Sequence, residues 1–377
     1  MIENQETANK MRSAAMALLN ILDEEQIQEL CHPFNKENEK ERRRWYYTPN
    51  IQSALSFTNL NPIQQQAVLK LLSTGLSQEG FSTATSIMGL ENVLDMLEGW
   101  NEHSVTERNI RGRDPNRYYI RFFGHPYNDQ QWSWSFNGHH LLVQFTVINA
   151  KYLSNTPTFF GANPARVELV GSNHIRPLAA EEDLARKLLE QMDSKQIKSA
   201  IISSIAPYDI IQTNNPVVLE NISLPQPGYK MMEQKETKEV ITNFRQRTED
   251  LGLSDTDLES LEYSGQEPKG ISVLQMNSIQ QAILSELLDQ YINRMPKEIA
   301  NYEKEKVTSN FDSLFFAWAG GIKPNQPHYY RIQGTQLLVE YDNTQNDSNH
   351  IHSVLRNPES DFAQDLLEMH YELQHNN

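Results

Sequence analysis

The sequence predicts an α+β fold of internally duplicated helix-helix-four-strand-helix units, packed about a pseudo-twofold axis on mainly antiparallel sheet. Three observations predict it. The run "IRFFGHPYNDQQWSWSFNGHHLLVQF", from Ile120, lies without a gap over "FFAWAGGIKPNQPHYYRIQGTQLLVEY" once Gly124 is set on Gly320, and the same offset sets Gly138 on Gly334. Leu141, Leu142 and Val143 then meet Leu337, Leu338 and Val339, and Trp134, Phe136 and Phe145 meet Tyr330, Ile332 and Tyr341. Both runs alternate apolar and polar residues, the period of a half-buried strand.

The match extends outward from these strands. "LNPIQQQAVLKLL" from Leu60 resembles "MNSIQQAILSELL" from Met276, and each opens with an Asn suited to a helix N-cap and a Gln placed for a capping box. "TFFGANP", ending at Pro164, corresponds to "SVLRNP", ending at Pro358, and "EEDLARKLLEQM" from Glu181 corresponds to "ESDFAQDLLEMH" from Glu359. The predicted organisation is a helical, peripheral N-terminal region over 1–49, a first copy over 50–204, a connector over 205–269 and a second copy over 270–377. The connector is rich in Pro, turn formers and mixed charge, with one helix expected around Lys235 to Leu251. A four-stranded half-sheet is poorly buried alone, so the copies are expected to pack into one body.

Composition narrows the functional classes. The 377 residues carry a formal charge of -16, which opposes binding to nucleic acid or anionic lipid. The one basic run, "KENEKERRRW", interleaves Glu with Lys and Arg and reads as a solvated helix face. Cys31 is the only cysteine, so neither an internal disulfide nor a cysteine-based metal cluster can form. No apolar run reaches the roughly twenty residues needed to cross a bilayer. "MRSAAMALLNILDEEQ" is an amphipathic helix running into acids, unlike a leader peptide, so a cytoplasmic location is favoured for the chain as it stands, and export requires a leader removed from it. GxGxxG, Walker, GxSxG and HExxH patterns are absent, and no nucleotide cofactor is expected.

The candidate chemistry lies in "EYDNTQNDSNHIHS", Glu340 to Ser353. Strand alternation sends Tyr329, Arg331 and Gln333 to one face, and Leu338, Glu340 and Asp342 likewise to one face of the next strand. "QGTQ" reads as a tight hairpin in which Gly334 supplies a positive φ. If a second hairpin opposes Asp342 to His350, it opposes Glu340 to His352, and one face gathers Tyr329, Arg331, Glu340, Asp342, His350 and His352. The matching face of the first copy reads Ser133, Ser135, Gln144, Thr146, Thr156 and Thr158, neutral throughout. Solvent exposure explains polarity but not this asymmetry.

Three chemistries fit that face. Glu340, His350 and His352 offer the oxygen and nitrogen donors that divalent metals prefer, with Asp342 as ligand or general base, Arg331 steadying a small polar or anionic ligand, and Tyr329 lining the site. Carboxylate, imidazole and guanidinium groups can equally form a structural network tying strands together, and a ligand-binding or interaction protein can use the same face. Metal-free acid-base work by a His beside a carboxylate is the third. The first implies a metal-assisted enzyme, more in keeping with hydrolysis than redox chemistry. By parity His328 faces the core. His139 and His140, read as opening the third strand, face opposite ways and cannot both line one site. His370 belongs to the closing helix. Cys31 beside His32 is no dyad.

The phrases "SFNGHHLLVQFTV", "TPTFFGANPA", "AAEEDLARKLL", "FAWAGG", "PHYYRIQG", "VEYDNTQNDSNHIHSV" and "DFAQDLLEMHY" resemble the bacterial family catalogued as domain of unknown function 3500, from about Ala14 to Tyr371. The resemblance implies membership and, for many members, export with a leader. It implies no substrate, cofactor or catalytic assignment.

Overall fold

The computed structural model describes residues 2–100, 111–225, 242, 246–247 and 249–364. The described residues within Met1–Phe160, Asn293–Glu303 and Glu359–Asn377 form one compact unit, and those within Gly161–Ile292 and Lys304–Pro358 form a second. The helix expected near Lys235 lies largely, and His370 wholly, outside the described residues.

In the first unit helices α1 (Gln5–Leu19) and α2 (Glu24–Leu30) lead into a short strand, β1 (Cys31–His32). Helices α3 (Pro62–Thr74) and α4 (Gln78–Leu97) follow, then the strands β2 (Tyr118–Phe123), β3 (Gln131–Gly138), β4 (Leu141–Ile148) and β5 (Thr158–Ala162). β2, β3 and β4 pair antiparallel in sequence order, β5 pairs antiparallel with β4, and β1 lies parallel to β2. In the second unit α5 (Ala179–Glu190) and α6 (Ser194–Ala200) lead into β6 (Ile201–Ser203), with the helix α7 (Asp255–Leu261) after it. Next come α8 (Ser278–Ile292), then α9 (Lys297–Ser309), whose residues to Glu303 are counted in the first unit, and the second-unit strands β7 (Phe315–Gly320), β8 (His328–Gly334), β9 (Leu337–Gln345) and β10 (His350–Arg356). β7 to β10 pair antiparallel in sequence order, and β6 lies parallel to β7. The fold class is thus α+β on mainly antiparallel sheet, as expected.

The expected helix starts are built from the expected groups. Asn61 accepts from the amides of Ile63 and Gln64 while the Gln64 side chain accepts from the Asn61 amide, and Asn277 and Gln280 do the same at the head of α8. Losing such a cap costs about 1 kcal/mol. Each Gln also reaches a neighbouring element: Gln64 donates to the Ile21 carbonyl and meets Gln26, and Gln280 donates to the Gln191 carbonyl and meets Gln196. Gln26 and Gln196 sit in capping boxes of their own, at the starts of α2 and α6.

The paired glycines have two different causes. Gly124 and Gly320 hold φ of +76° and +89° where β2 and β7 end. Gly138 and Gly334 keep negative-side geometry, so Gly334 does not supply the positive φ expected of it. They admit a close neighbour instead: a β-carbon would stand 2.4 Å from the Tyr118 ring at Gly138 and 2.6 Å from Leu314 at Gly334. Substituting Gly320→Ala imposes a left-handed conformation and sets a β-carbon 2.3 Å from the Pro327 carbonyl oxygen. The expected loss is about 2 kcal/mol or more, read as a lowered midpoint in urea.

Two expectations are corrected. The N-terminal region is not peripheral: Met11, Ala15, Leu18, Leu30 and Trp45 are buried, because α1 packs on α3 and β1 joins the sheet. Nor is the basic run a solvated face. Arg42 is buried, bonded to Glu39 and to the Thr146 hydroxyl, and Arg121 of β2 donates to the carbonyls of Glu41 and Arg44. Arg121 stands opposite Ser135, so the polar face of the first unit carries guanidinium groups and the neutral reading of it fails.

Candidate functional site

In the second unit β8, β9 and β10 carry the expected residues on one face. Tyr329 is opposite Asp342 and Arg331 opposite Glu340. The β9-β10 register differs from expectation: Asp342 pairs with His352, Glu340 with Val354, and His350 with Gln345. The ladder carries a bulge between Asn343 and Gln345, and Asn346, Asp347 and Ser348 turn the chain with φ of +51°, +56° and +60°. Side-chain parity survives because the slip is even.

The face is not wet. Arg331, Glu340, Asp342 and Arg356 are each at most 1% exposed. They are covered by the segment after β6 and by the end of α7. Ile211 and Tyr329 share an apolar cluster with Ala206, Ile222, Leu261 and Ala319, which seats the covering chain. The Gln212 side chain fixes its shape, donating to the Leu219 carbonyl and accepting from the Leu219 amide.

Glu340 is fully engaged. Oε1 accepts from the Ile211 amide at 2.8 Å and the Tyr329 hydroxyl at 2.8 Å, and Oε2 accepts from the Gln212 amide at 3.1 Å. Burial raises its pKa, and the Tyr329 hydrogen bond and the Arg331 charge oppose that rise. Arg331 donates to the carbonyls of Leu261 and Glu262, a guanidinium on the negative end of α7. Tyr329 is buried, its own ionisation pushed well above the usual range by burial and by Glu340. These three residues brace the sheet against its cover.

A second group lies beside them. Asp209, on the covering segment, sets Oδ1 2.7 Å from Nδ1 of His352, both buried. The His350 ring stands 4.6 Å from that of His352, edge to face, and the His350 amide donates to Asn343 Oδ1. Asp342 Oδ1 accepts from the Thr344 hydroxyl at 2.8 Å, whereas Oδ2 is buried without a hydrogen-bond partner. Burial, then the Asp209 charge, push the Asp342 carboxyl well above its ordinary pKa. Asp209 escaped the sequence reading because it sits in a loop, where strand parity has no purchase; its only signal is a lone acid in the apolar run "APYDII".

His328 faces the core as expected. It stacks on Trp318 at 5.0 Å and meets Arg186 at 3.0 Å, and burial followed by the Arg186 charge lowers its pKa to about 4. Burial pushes the Cys31 thiol up to about 11, which removes it as a nucleophile.

One reading is overturned in the first unit. β4 begins at Leu141, so His139 and His140 are the two residues of the β3-β4 turn and strand alternation does not govern them. Their rings stack at 3.8 Å, and His139 Nδ1 lies 2.5 Å from Glu91 Oε1 of α4. The donor atoms of Glu91, His139 and His140 all come within 4.8 Å of one another, a buried group that could hold a metal ion. No described helix is long and apolar enough to cross a membrane.

A family model described as a protein of unknown function, DUF3500, matches residues 4–364. No curated protein and no solved structure matches the chain.

Proposed function

The chain belongs to the DUF3500 family, and from that premise we propose that it is a metal-assisted enzyme, hydrolytic rather than redox, centred on the second unit. His350 and His352 hold a divalent ion, Asp209 orients His352, and Asp342 holds or accepts the proton. Glu340, predicted from sequence as a metal ligand, has both oxygens committed to hydrogen bonds, and its place in the proposal is to brace the site with Arg331 and Tyr329. The observation that carries the reading is the 2.7 Å contact between Asp209 and His352 Nδ1. A carboxylate on Nδ1 fixes the ring and its tautomer and makes Nε2 the basic, metal-facing nitrogen. A divalent ion there would supply a water acidified toward neutrality. The buried, partnerless Oδ2 of Asp342 is suited to carrying a proton, because its surroundings oppose ionisation.

Elemental analysis of zinc-loaded, gel-filtered protein tests this. Wild type is expected to retain metal that His350→Ala and His352→Ala each lose, and Asp209→Asn is expected to weaken binding by about tenfold or more. Equal metal content in wild type and both histidine variants would overturn it.

The second reading is a non-enzymatic ligand-binding or interaction protein, favoured by the saturation of Glu340 and by the guanidinium groups of Arg331 and Arg356 ending on backbone carbonyls. Under it, the same variants lose stability and no metal. We also read the two units as copies of one ancestral unit. What supports this is the shared succession of two helices, a parallel strand, an Asn-Gln capped helix and an antiparallel meander, with the helix α7 added in the second, and with the Gln pairs Gln26-Gln64 and Gln196-Gln280 in equivalent places.

A further inference from the structure

The β3-β4 turn has an internal control. Gly138 and Leu141 close it as Gly334 and Leu337 close the β8-β9 turn, each across two residues. In the β8-β9 turn these two are Thr335 and Gln336, both exposed and neither with positive φ. A hairpin of this length therefore requires neither imidazoles nor burial. In the β3-β4 turn they are His139 and His140, 7% and 2% exposed, with His140 held at φ +59°. A left-handed conformation at a non-glycine residue is a local cost, retained where something else needs the side chain placed.

The placement brings together three donors of one kind. Glu91 lies on the buried stripe of α4, in line with Ala84, Ile87, Met88 and Leu94, where an apolar residue would serve packing better. Its carboxylate meets His139, and His140 stacks on that ring. A divalent cation gives countercharge to the acid and a Lewis-acid partner to both rings.

We propose that Glu91, His139 and His140 form a transition-metal site of the zinc class, distinguished by its ligands Glu91 and His139 from the centre proposed on His350 and His352. Two imidazole nitrogens and one carboxylate oxygen are a donor set that Zn²⁺ and its neighbours accept at about 2.0–2.2 Å, with further positions left for water. The donors already lie within 4.8 Å of one another, so closing on an ion needs side-chain adjustment alone.

The test is cobalt titration of full-length protein stripped with chelator, followed by the visible absorption of bound Co²⁺, on wild type, Glu91→Gln, His139→Asn and the pair His350→Ala and His352→Ala. Far-ultraviolet circular dichroism establishes that each variant is folded. The expected result is that Glu91→Gln and His139→Asn each lose one equivalent of bound Co²⁺, while the His350 and His352 variants keep it. A folded Glu91→Gln or His139→Asn protein with wild-type stoichiometry overturns the proposal. Should both variants fail to fold, the Zn²⁺-dependent rise in the melting temperature of His350→Ala decides: a rise supports this site and no rise overturns it. Failure of the second-unit centre reads differently, as stoichiometry unchanged in the His350 and His352 variants.

Discussion

Substituting Glu340→Ala is expected to cost about 3 kcal/mol or more of folding free energy, since each buried donor left unsatisfied costs about 1–3 kcal/mol. The carboxylate receives two backbone amides and a tyrosine hydroxyl and faces Arg331 across the strand pair. Alanine would leave the Ile211 and Gln212 amides and the Tyr329 hydroxyl without an acceptor in a site that excludes water, and would remove the negative charge that faces Arg331 across the strand pair. The amides belong to the segment covering the sheet, so the damage would spread. Ile211 would lose the tether that holds it in its cluster, and the cover over Asp342 and His352 would loosen. Glu340→Gln separates charge from shape. It keeps an acceptor for one or two of the three donors but points an amide N–H at the remaining one, so its cost is expected to fall between wild type and alanine. Urea unfolding followed by tryptophan fluorescence measures both. A loss below about 1 kcal/mol for Glu340→Ala would mean that the amides find other partners and that the bracing role is wrong.

The parts of this site that were legible in the sequence are those governed by a fixed period. Alternation along β8, β9 and β10 placed Tyr329, Arg331, Glu340 and Asp342 on one face, and it survived an error of two residues in the β9-β10 register because an even slip keeps parity. The capping boxes at Asn61 and Asn277 were legible for a similar reason, since the Asn and Gln act through neighbouring backbone. What failed is what depends on chain distant in sequence. Nothing in "EYD" says that the amides of Ile211 and Gln212 will close over Glu340, or that the end of α7 will meet Arg331, and these contacts bury the polar face. His139 and His140 were misjudged because the strand rule was applied one residue into a turn. There the backbone reverses, and rings adjacent in sequence can stack.

The second large effect is on pH dependence, where two buried groups of the second unit act with opposite sign. His328 has its pKa lowered from 6.5 to about 4, first by burial and then by the Arg186 charge. The folded state therefore favours the neutral ring, and the stability this supplies is complete above pH 6.5 and is lost as pH falls toward 4. The span corresponds to about 3 kcal/mol. Asp342 has its pKa raised well above 3.8, first by burial and then by Asp209. The folded state favours the protonated acid, so that contribution is complete below 3.8 and is lost as pH rises through the raised value. Urea midpoints measured between pH 4 and pH 9 are expected to show a maximum, with the acid limb removed by His328→Gln and the alkaline limb flattened by Asp342→Asn. The asparagine variant should gain on wild type as pH rises, because it removes a carboxyl whose ionisation the fold opposes. An unchanged alkaline limb in Asp342→Asn would show that the acid is not held protonated. A carboxyl that asparagine would replace with no loss of stability has no structural reason to be an acid, and that directs attention to the proton it can carry beside His352.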